Sequence, residues 1–510
     1  MFKNIKNKII NIWNSVSERI SRIPVSIQIL CAFLLFLLVY MRFGVNLMLV
    51  VLLWALWKAG FFKWLGKTFG EKEMRTAFLV FCGILVGYTT VMLLFKIPMS
   101  IDLFFDTDMT KLYHIFSNPF TYNNSLFADV ARRPFPLFLT LPFGLLTPVI
   151  SDLSVRLYMV VLSALNIAMF SLLVSRIAPK ARAFNMLLCA AFAVSAPQIF
   201  FGALGVEQYL HIQFGMMICM LYFSFAIPQK RYKEWELLLV AAICLVANSV
   251  ILPMFGIFYI TLLCVLDKPR GVFMRIIRMA IMFVILHHLL AFFQSLILPW
   301  VNSYVWNMFA FAPKGLDFTA NSSFFAFNKH IGFPNPWKYI TDVLSMPFGF
   351  DNIKRAPIFS YLWIWAVALI PCIVSNRKNP LFLAILGSWL SFVLFFAIYN
   401  PHNTFLYSIM HITVLFAMLA YFPKFKTEVA VIMLTVLLII NAPWVKYINF
   451  SARVFQNNGI TYGGQVGLMR FNADNSMAQR FGPLCYDKWR ILKLTMEQRE
   501  QKEQQEKQAK

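Results

Sequence analysis

The sequence predicts an all-α polytopic membrane protein, and three observations carry that expectation. Of 510 residues, 60% are hydrophobic and only 13% charged, with a mean hydropathy of +0.67, whereas soluble domains are roughly 45–50% apolar. Apolar runs of the length a bilayer-crossing helix needs recur along the chain. The basic residues behind the net charge of +24 cluster in short loops between those runs, as a positive-inside bias requires. No basic stripe with interleaved aromatics lies on a soluble domain, so nucleic acid is not an expected partner. Membrane lipids with an anionic surface are.

Taken in order, residues 1–23 carry Lys3, Lys6, Lys8, Arg19 and Arg22 among apolar residues at helical intervals, an amphipathic cytoplasmic segment. Residues 24–75 hold a hairpin of two spans, 24–41 and 43–57, and a basic loop. No small-residue cleavage signature follows the first run, so it reads as an uncleaved span. A third span, 76–98, delivers the chain to the far face. The apolar run 134–150 contains Pro134, Pro136, Pro142, Gly144 and Pro148. Each proline removes a hydrogen bond that hydrocarbon cannot replace, so this run is expected to lie along the interface as broken helices.

Further spans are expected at 153–175, 184–206, 209–227, 237–248, 252–266 and 276–299, the pair around Asn248 and Pro253 being short enough for a paired dip. A second large outer loop, 300–356, carries Lys314, Asp317, Lys329, His330, Lys338, Asp342, Asp351, Lys354 and Arg355. Spans at 357–374, 380–397, 404–422 and 428–444 bring the total to about thirteen crossings, followed by a polar tail, 445–510. The N-terminus and the expected inner loops hold 24 Lys and Arg against 9 in the expected outer loops. That asymmetry puts the N-terminus in the cytoplasm of a cell with this chain in its cytoplasmic (inner) membrane. Seven of the eight cysteines lie in or beside apolar runs and read as small core residues, with no disulfide framework or metal-ligand spacing.

One stretch stands out chemically. Asp102, Asp106 and Asp108 open the first outer loop (99–152), and Arg132 and Arg133 close it. Charges next to hydrocarbon are costly, and a functional site is the default reading. The order of motifs around it runs Phe105-Asp106-Thr107-Asp108, Arg132-Arg133-Pro134-Phe135-Pro136, Leu153-Ser154-Val155-Arg156, Ala178-Pro179-Lys180-Ala181-Arg182, Ser195-Ala196-Pro197 and Gly205-Val206-Glu207. A weaker echo follows at Tyr399-Asn400-Pro401 and Phe405-Leu406-Tyr407. This order resembles the GT-C superfamily of membrane glycosyltransferases, in particular its protein O-mannosyltransferase and lipid A aminoarabinose transferase branch, over residues 76–270.

The resemblance implies a GT-C-like module (76–299) and transfer of a sugar from a polyprenyl-phosphate donor to a glycan, lipid or protein acceptor at the outer face. Asp106 matches the catalytic carboxylate best, ahead of Asp108 and Asp102. A carboxylate there can accept the acceptor hydroxyl's proton as that oxygen inverts the sugar carbon. Arg132 and Arg133 can hold the leaving phosphate with planar donors, joined by Lys314, Lys329 or His330. Glu207 matches an acidic position near the family's active site, and Tyr209 and His211 follow it as further substrate-binding candidates. No metal ligand set is expected and no cofactor is required, although Asp106-Thr107-Asp108 has the Asp-x-Asp form of enzymes that use a divalent cation. Blander roles compete: Asp106 or Asp108 as a helix cap, the arginines as headgroup anchors, Glu207 as a complement to a helix dipole. His287-His288 reads as a hydrogen-bonded core pair. Two other functions remain open: a polymerase or ligase of diphosphate-linked oligosaccharides centred on His330 and Arg355, and a transporter or flippase without chemistry.

Overall fold

The computed structural model describes residues 68–95, 153–266, 269–297, 336–348, 358–399, 404–424 and 426–457. Among these residues the chain is almost wholly helical and contains no strand. Six helices are long and apolar enough to cross a membrane, seven if one bent pair counts as a single broken span. The described part of the chain is therefore all-α and suited to a membrane, because a helix satisfies every backbone polar group within itself where no water can.

The first half runs through α1 (Glu71–Leu94), α2 (Leu153–Ile177), α3 (Arg182–Ala193), the short α4 (Ala196–Ile199) and a π turn (Phe200–Leu204). It continues through α5 (Tyr209–Gln229) and α6 (Glu234–Ala247) to α7 (Leu252–Leu266) and α8 (Pro269–Ile297). The second half comprises α9 (Pro336–Ser345), α10 (Ile358–Asn376), α11 (Pro380–Tyr399), α12 (Thr404–Leu419) and α13 (Lys426–Asn457). Helices α2 and α5 are enclosed on most sides, whereas α8 stands at the rim with its apolar face outward.

Aromatic and ionic contacts fix the helix directions. Phe69 before α1 meets Phe225 near the end of α5 edge-on at 5.1 Å, and Arg176 at the end of α2 lies 4.0 Å over that same ring. Lys426 at the start of α13 faces Phe184 at the start of α3. Arg278 of α8 pairs with Glu234 at the start of α6 at 3.0 Å. Asn376, closing α10, donates to the Tyr421 carbonyl beyond α12 at 3.0 Å. These contacts gather Lys72, Arg75, Arg176, Lys180, Arg182, Lys230, Arg231 and Lys233 at one end of the bundle, with Arg275, Arg278, Arg377, Lys378, Lys424 and Lys426. That end is the basic end. At it α5 stops in a left-handed turn at Lys230 (φ 50°), where Arg231 N–H returns to the Ala226 carbonyl at 3.2 Å as a Schellman cap does.

The expectations for 184–206 and for His287-His288 are corrected, and other stretches gain detail. The span expected over 184–206 is broken: α3 and the α4–π segment bend by 71° at Ser195, because Pro197 in the first turn of α4 cannot continue the ladder of α3. Within the stretch 300–356 lies the amphipathic α9, which packs Tyr339, Val343 and Leu344 into the core. Its Leu344 carbonyl accepts a 2.7 Å hydrogen bond from Trp365 Nε1 of α10. Helix α13 runs past 444 to Asn457, so no break falls where the tail was expected to begin. His287 and His288 lie half-buried on the rim helix, not in the core; His288 Nδ1 is 2.7 Å from the Val284 carbonyl, a bond within its own helix. The hairpin before residue 68, the interfacial run 134–150 and the segment beyond 457 lie outside the described residues.

Candidate functional site

The break in α3 releases carbonyls that hydrocarbon cannot satisfy, and two distant helices supply the donors. Tyr88 Oη of α1 donates to the Ala193 carbonyl at 2.6 Å. Asn441 Nδ2 of α13 donates to the Val194 carbonyl at 2.8 Å and to the Pro347 carbonyl behind α9 at 2.8 Å. The π turn that follows passes close to α2. A Cβ on Gly202 would stand 2.5 Å from the Tyr88 ring and 2.6 Å from Ser163 Oγ, so only glycine permits this approach. The turn then delivers Glu207 and α5. Such π segments recur at functional sites.

Below the turn lies a buried amide network. Gln198 and Gln213 face each other, Gln213 Nε2 donating to Gln198 Oε1 at 2.8 Å. Gln198 Nε2 donates to Ser163 Oγ at 2.6 Å, and Gln213 Nε2 also donates to Thr413 Oγ1 at 3.0 Å. Asn166 Nδ2 donates to Gln213 Oε1 and to the Leu210 carbonyl, both at 2.9 Å. This layer ties α2, α4, α5 and α12 together, and each member restrains the rest.

Above the amides, at the end of the bundle opposite the basic end, sits a row of tyrosines and histidines. Tyr158 Oη is 2.6 Å from His211 Nε2. Tyr209 meets Tyr407 of α12 edge-on at 5.9 Å, Tyr407 stacks on Phe396 of α11 at 4.2 Å, and Phe396 lies 5.9 Å from the His411 ring. His411 Nε2 is 3.0 Å from Tyr339 Oη of α9. Burial, with the Asp342 carboxylate adding to it, holds the Tyr339 phenol well above its usual range, so it stays protonated and able to donate. Arg156 and Glu207 are buried at the same end, and Glu207 Oε2 accepts the Gln208 N–H at 2.9 Å.

The sequence-predicted candidates divide sharply. Glu207, Tyr209 and His211 are together in this row, at the turn entering α5. Asp102, Asp106, Asp108, Arg132, Arg133, Lys314, Lys329 and His330 lie outside the described residues. Among the described residues no group of His, Cys, Asp and Glu could hold a metal ion, and the described cysteines are free thiols. The residues that sequence reasoning missed are Tyr158, Tyr339 and His411 with the amides Asn166, Gln198 and Gln213, while Tyr407 entered it only within the Phe405-Leu406-Tyr407 echo. Their signal was present as polar side chains inside apolar runs, costly unless partnered. No family model, curated protein or solved structure matches this chain.

Proposed function

We propose that the chain is a GT-C-type membrane glycosyltransferase with about thirteen crossings, set in the cytoplasmic membrane with its basic end toward the cytoplasm. It transfers a sugar from a polyprenyl-phosphate donor to a glycan, lipid or protein acceptor, with inversion. The observation that supports this reading most is that the buried Glu207, Tyr209 and His211 sit where α1 finishes and α2 begins, away from the basic end. The segment joining those two helices is the one that carries Asp106 and the Arg132-Arg133 pair. The Asp106 carboxylate takes the proton of the acceptor hydroxyl. That oxygen forms the new bond to the sugar carbon as the bond to phosphate breaks, and the electron pair leaves with polyprenyl phosphate, its charge held by the arginines. No cofactor is required.

A transporter is the second reading, and the broken α3–α4 helix favours it, since discontinuous helices expose carbonyls to ions in transporters. Here the released Ala193 and Val194 carbonyls accept hydrogen bonds from Tyr88 and Asn441, which supports a structural break. Incubation of the purified protein and its Asp106→Asn variant with a panel of polyprenyl-phosphate sugars and acceptors decides. Release of polyprenyl phosphate by the wild type and its loss in the variant is expected. No turnover with any donor, together with substrate movement in proteoliposomes, would establish the transporter.

A further inference from the structure

At the basic end, the last turns of α2 and α5 meet around one aromatic ring. The Arg176 guanidinium lies 4.0 Å over the face of Phe225, and Phe69 holds that ring edge-on at 5.1 Å. A guanidinium stacked in this way keeps its fork of N–H donors in its own plane, directed past the edges of the ring. The carboxylates of α1 at this end are turned elsewhere: Glu71 pairs with Arg75, and Glu73 lies against Gly70. Arg176 is itself exposed, so its donors are both oriented and reachable.

The two turns that follow add charge in an unusual way. Ala181 N–H returns to the Ala178 carbonyl at 3.4 Å, closing a turn with Pro179 second and Lys180 third, and Lys180 has φ 68°. Lys230 caps α5 at φ 50°. Glycine or asparagine is the usual residue at both kinds of position, because a Cβ strains a left-handed backbone. Among the described residues these are the only non-glycine residues with positive φ, and both are lysines. One follows Arg176 and the other follows Phe225, each within about a turn. A positive-inside bias asks only that a loop be basic. It does not ask for lysine on a strained backbone, twice, beside a stacked arginine, and strain held at such a place points to function.

The level of this cluster selects its partner. Trp235 in the first turn of α6 and Phe273 near the start of α8 are exposed at the same end, as aromatic residues are where the headgroups of a bilayer begin. The anion met at that depth is the phosphate of a lipid. A phosphate takes planar paired donors and point charges together, which is the set that Arg176 and the two lysines provide.

We propose that the ends of α2 and α5 bind the phosphate of an anionic lipid in the leaflet at the basic end, Arg176 gripping it with paired N–H donors and Lys180 and Lys230 flanking it. The site lies at the opposite end of the bundle from the Tyr158–His211 pair and does not depend on the glycosyltransferase reading.

The test uses the full-length protein in nanodiscs of phosphatidylcholine with and without phosphatidylglycerol. Binding is read by displacement of a fluorescent phosphatidylglycerol, and the melting midpoint is measured in parallel. The wild type should bind phosphatidylglycerol saturably and melt higher with it, whereas added inorganic phosphate should neither displace the lipid nor raise the midpoint. Arg176→Lys keeps the charge and loses the planar fork, and should weaken binding about ten-fold, the worth of one charge-assisted hydrogen bond. Lys230→Gly should weaken it about five-fold, yet leave the midpoint in phosphatidylcholine unchanged or raised, because glycine relieves the left-handed turn. Lys378→Gln removes a charge from the turn joining α10 to α11 at the same end, and should change binding less than two-fold. Equal losses in Lys378→Gln and Arg176→Lys make the attraction diffuse and overturn the site. Binding unchanged in Arg176→Lys or Lys230→Gly overturns it too, and a midpoint lowered by Lys230→Gly in phosphatidylcholine makes that lysine a structural cap and removes the proposal with it. Displacement of the lipid by inorganic phosphate makes the partner a soluble anion and overturns the lipid as occupant.

Discussion

Gln213 and Thr413, 200 residues apart in sequence, are joined by a 3.0 Å hydrogen bond from the Gln213 amide to the Thr413 hydroxyl. That bond links the amide layer to α12, whose His411 stands two residues above Thr413, just as His211 stands two above Gln213. The two histidines are therefore carried by helices locked to each other directly beneath them.

Replacing Gln213 with Leu keeps much of the volume and removes the hub. The amides of Asn166 and Gln198 and the Thr413 hydroxyl each lose a partner there. Leaving a buried polar group unsatisfied costs about 1–3 kcal/mol, so a loss of about 3 kcal/mol is expected. Thermal unfolding of the detergent-purified protein measures it, and an unchanged midpoint would mean that the network contributes nothing net.

Asn441 should be intolerant of charge even without a change in size. Its Nδ2 serves two carbonyls, Val194 and Pro347. Asn441→Asp replaces that donor with an acceptor facing two acceptors, and should destabilise more than Asn441→Ala, which costs about 2–4 kcal/mol as two lost bonds. Comparison of the two melting midpoints decides the order.

Gly202→Ala should be more damaging than its single methyl suggests, by about 1–3 kcal/mol, because Tyr88 and Ser163 occupy the space. Adding Ser163→Ala removes one of the two clashes and should restore part of the loss. Strict additivity of the two substitutions in a double-mutant cycle would contradict the close approach.

Removing the Arg278–Glu234 pair should do almost nothing. Both side chains are mostly exposed, and such pairs contribute about 0–1 kcal/mol. Glu234→Gln is thus expected to shift unfolding within experimental error, and serves as the control for the three buried substitutions.

Reporter fusions after Lys180, Lys230, Lys378 and Lys424 should all report the same side of the membrane, since the helix contacts gather these residues at one end. A fusion after Asn457, at the far end of α13, should report the other side if α13 crosses. A mixed pattern among the first four would overturn the shared basic end.

By itself the sequence determined the class of protein and the approximate position of most helices. The expected span 209–227 became Tyr209–Gln229 and 380–397 became Pro380–Tyr399, because an apolar run of that length in lipid has no other way to satisfy its backbone. It also marked Glu207, Tyr209 and His211, which lie together at the turn entering α5. Where apolar pattern and backbone chemistry disagreed, only the tertiary structure decided. The break at Ser195 lies inside an apolar run, and α9 lies inside a polar one. Both exist because partners far away in sequence make them affordable: Tyr88 and Asn441 cap the freed carbonyls, and Trp365 and His411 anchor α9. A lone Tyr, His or Gln in an apolar run announces that it must have a partner, but not which one. Packing chooses among helices that look alike in sequence, and so the Tyr158–His211 and Tyr339–His411 pairs, and the amide layer beneath them, became visible only in three dimensions.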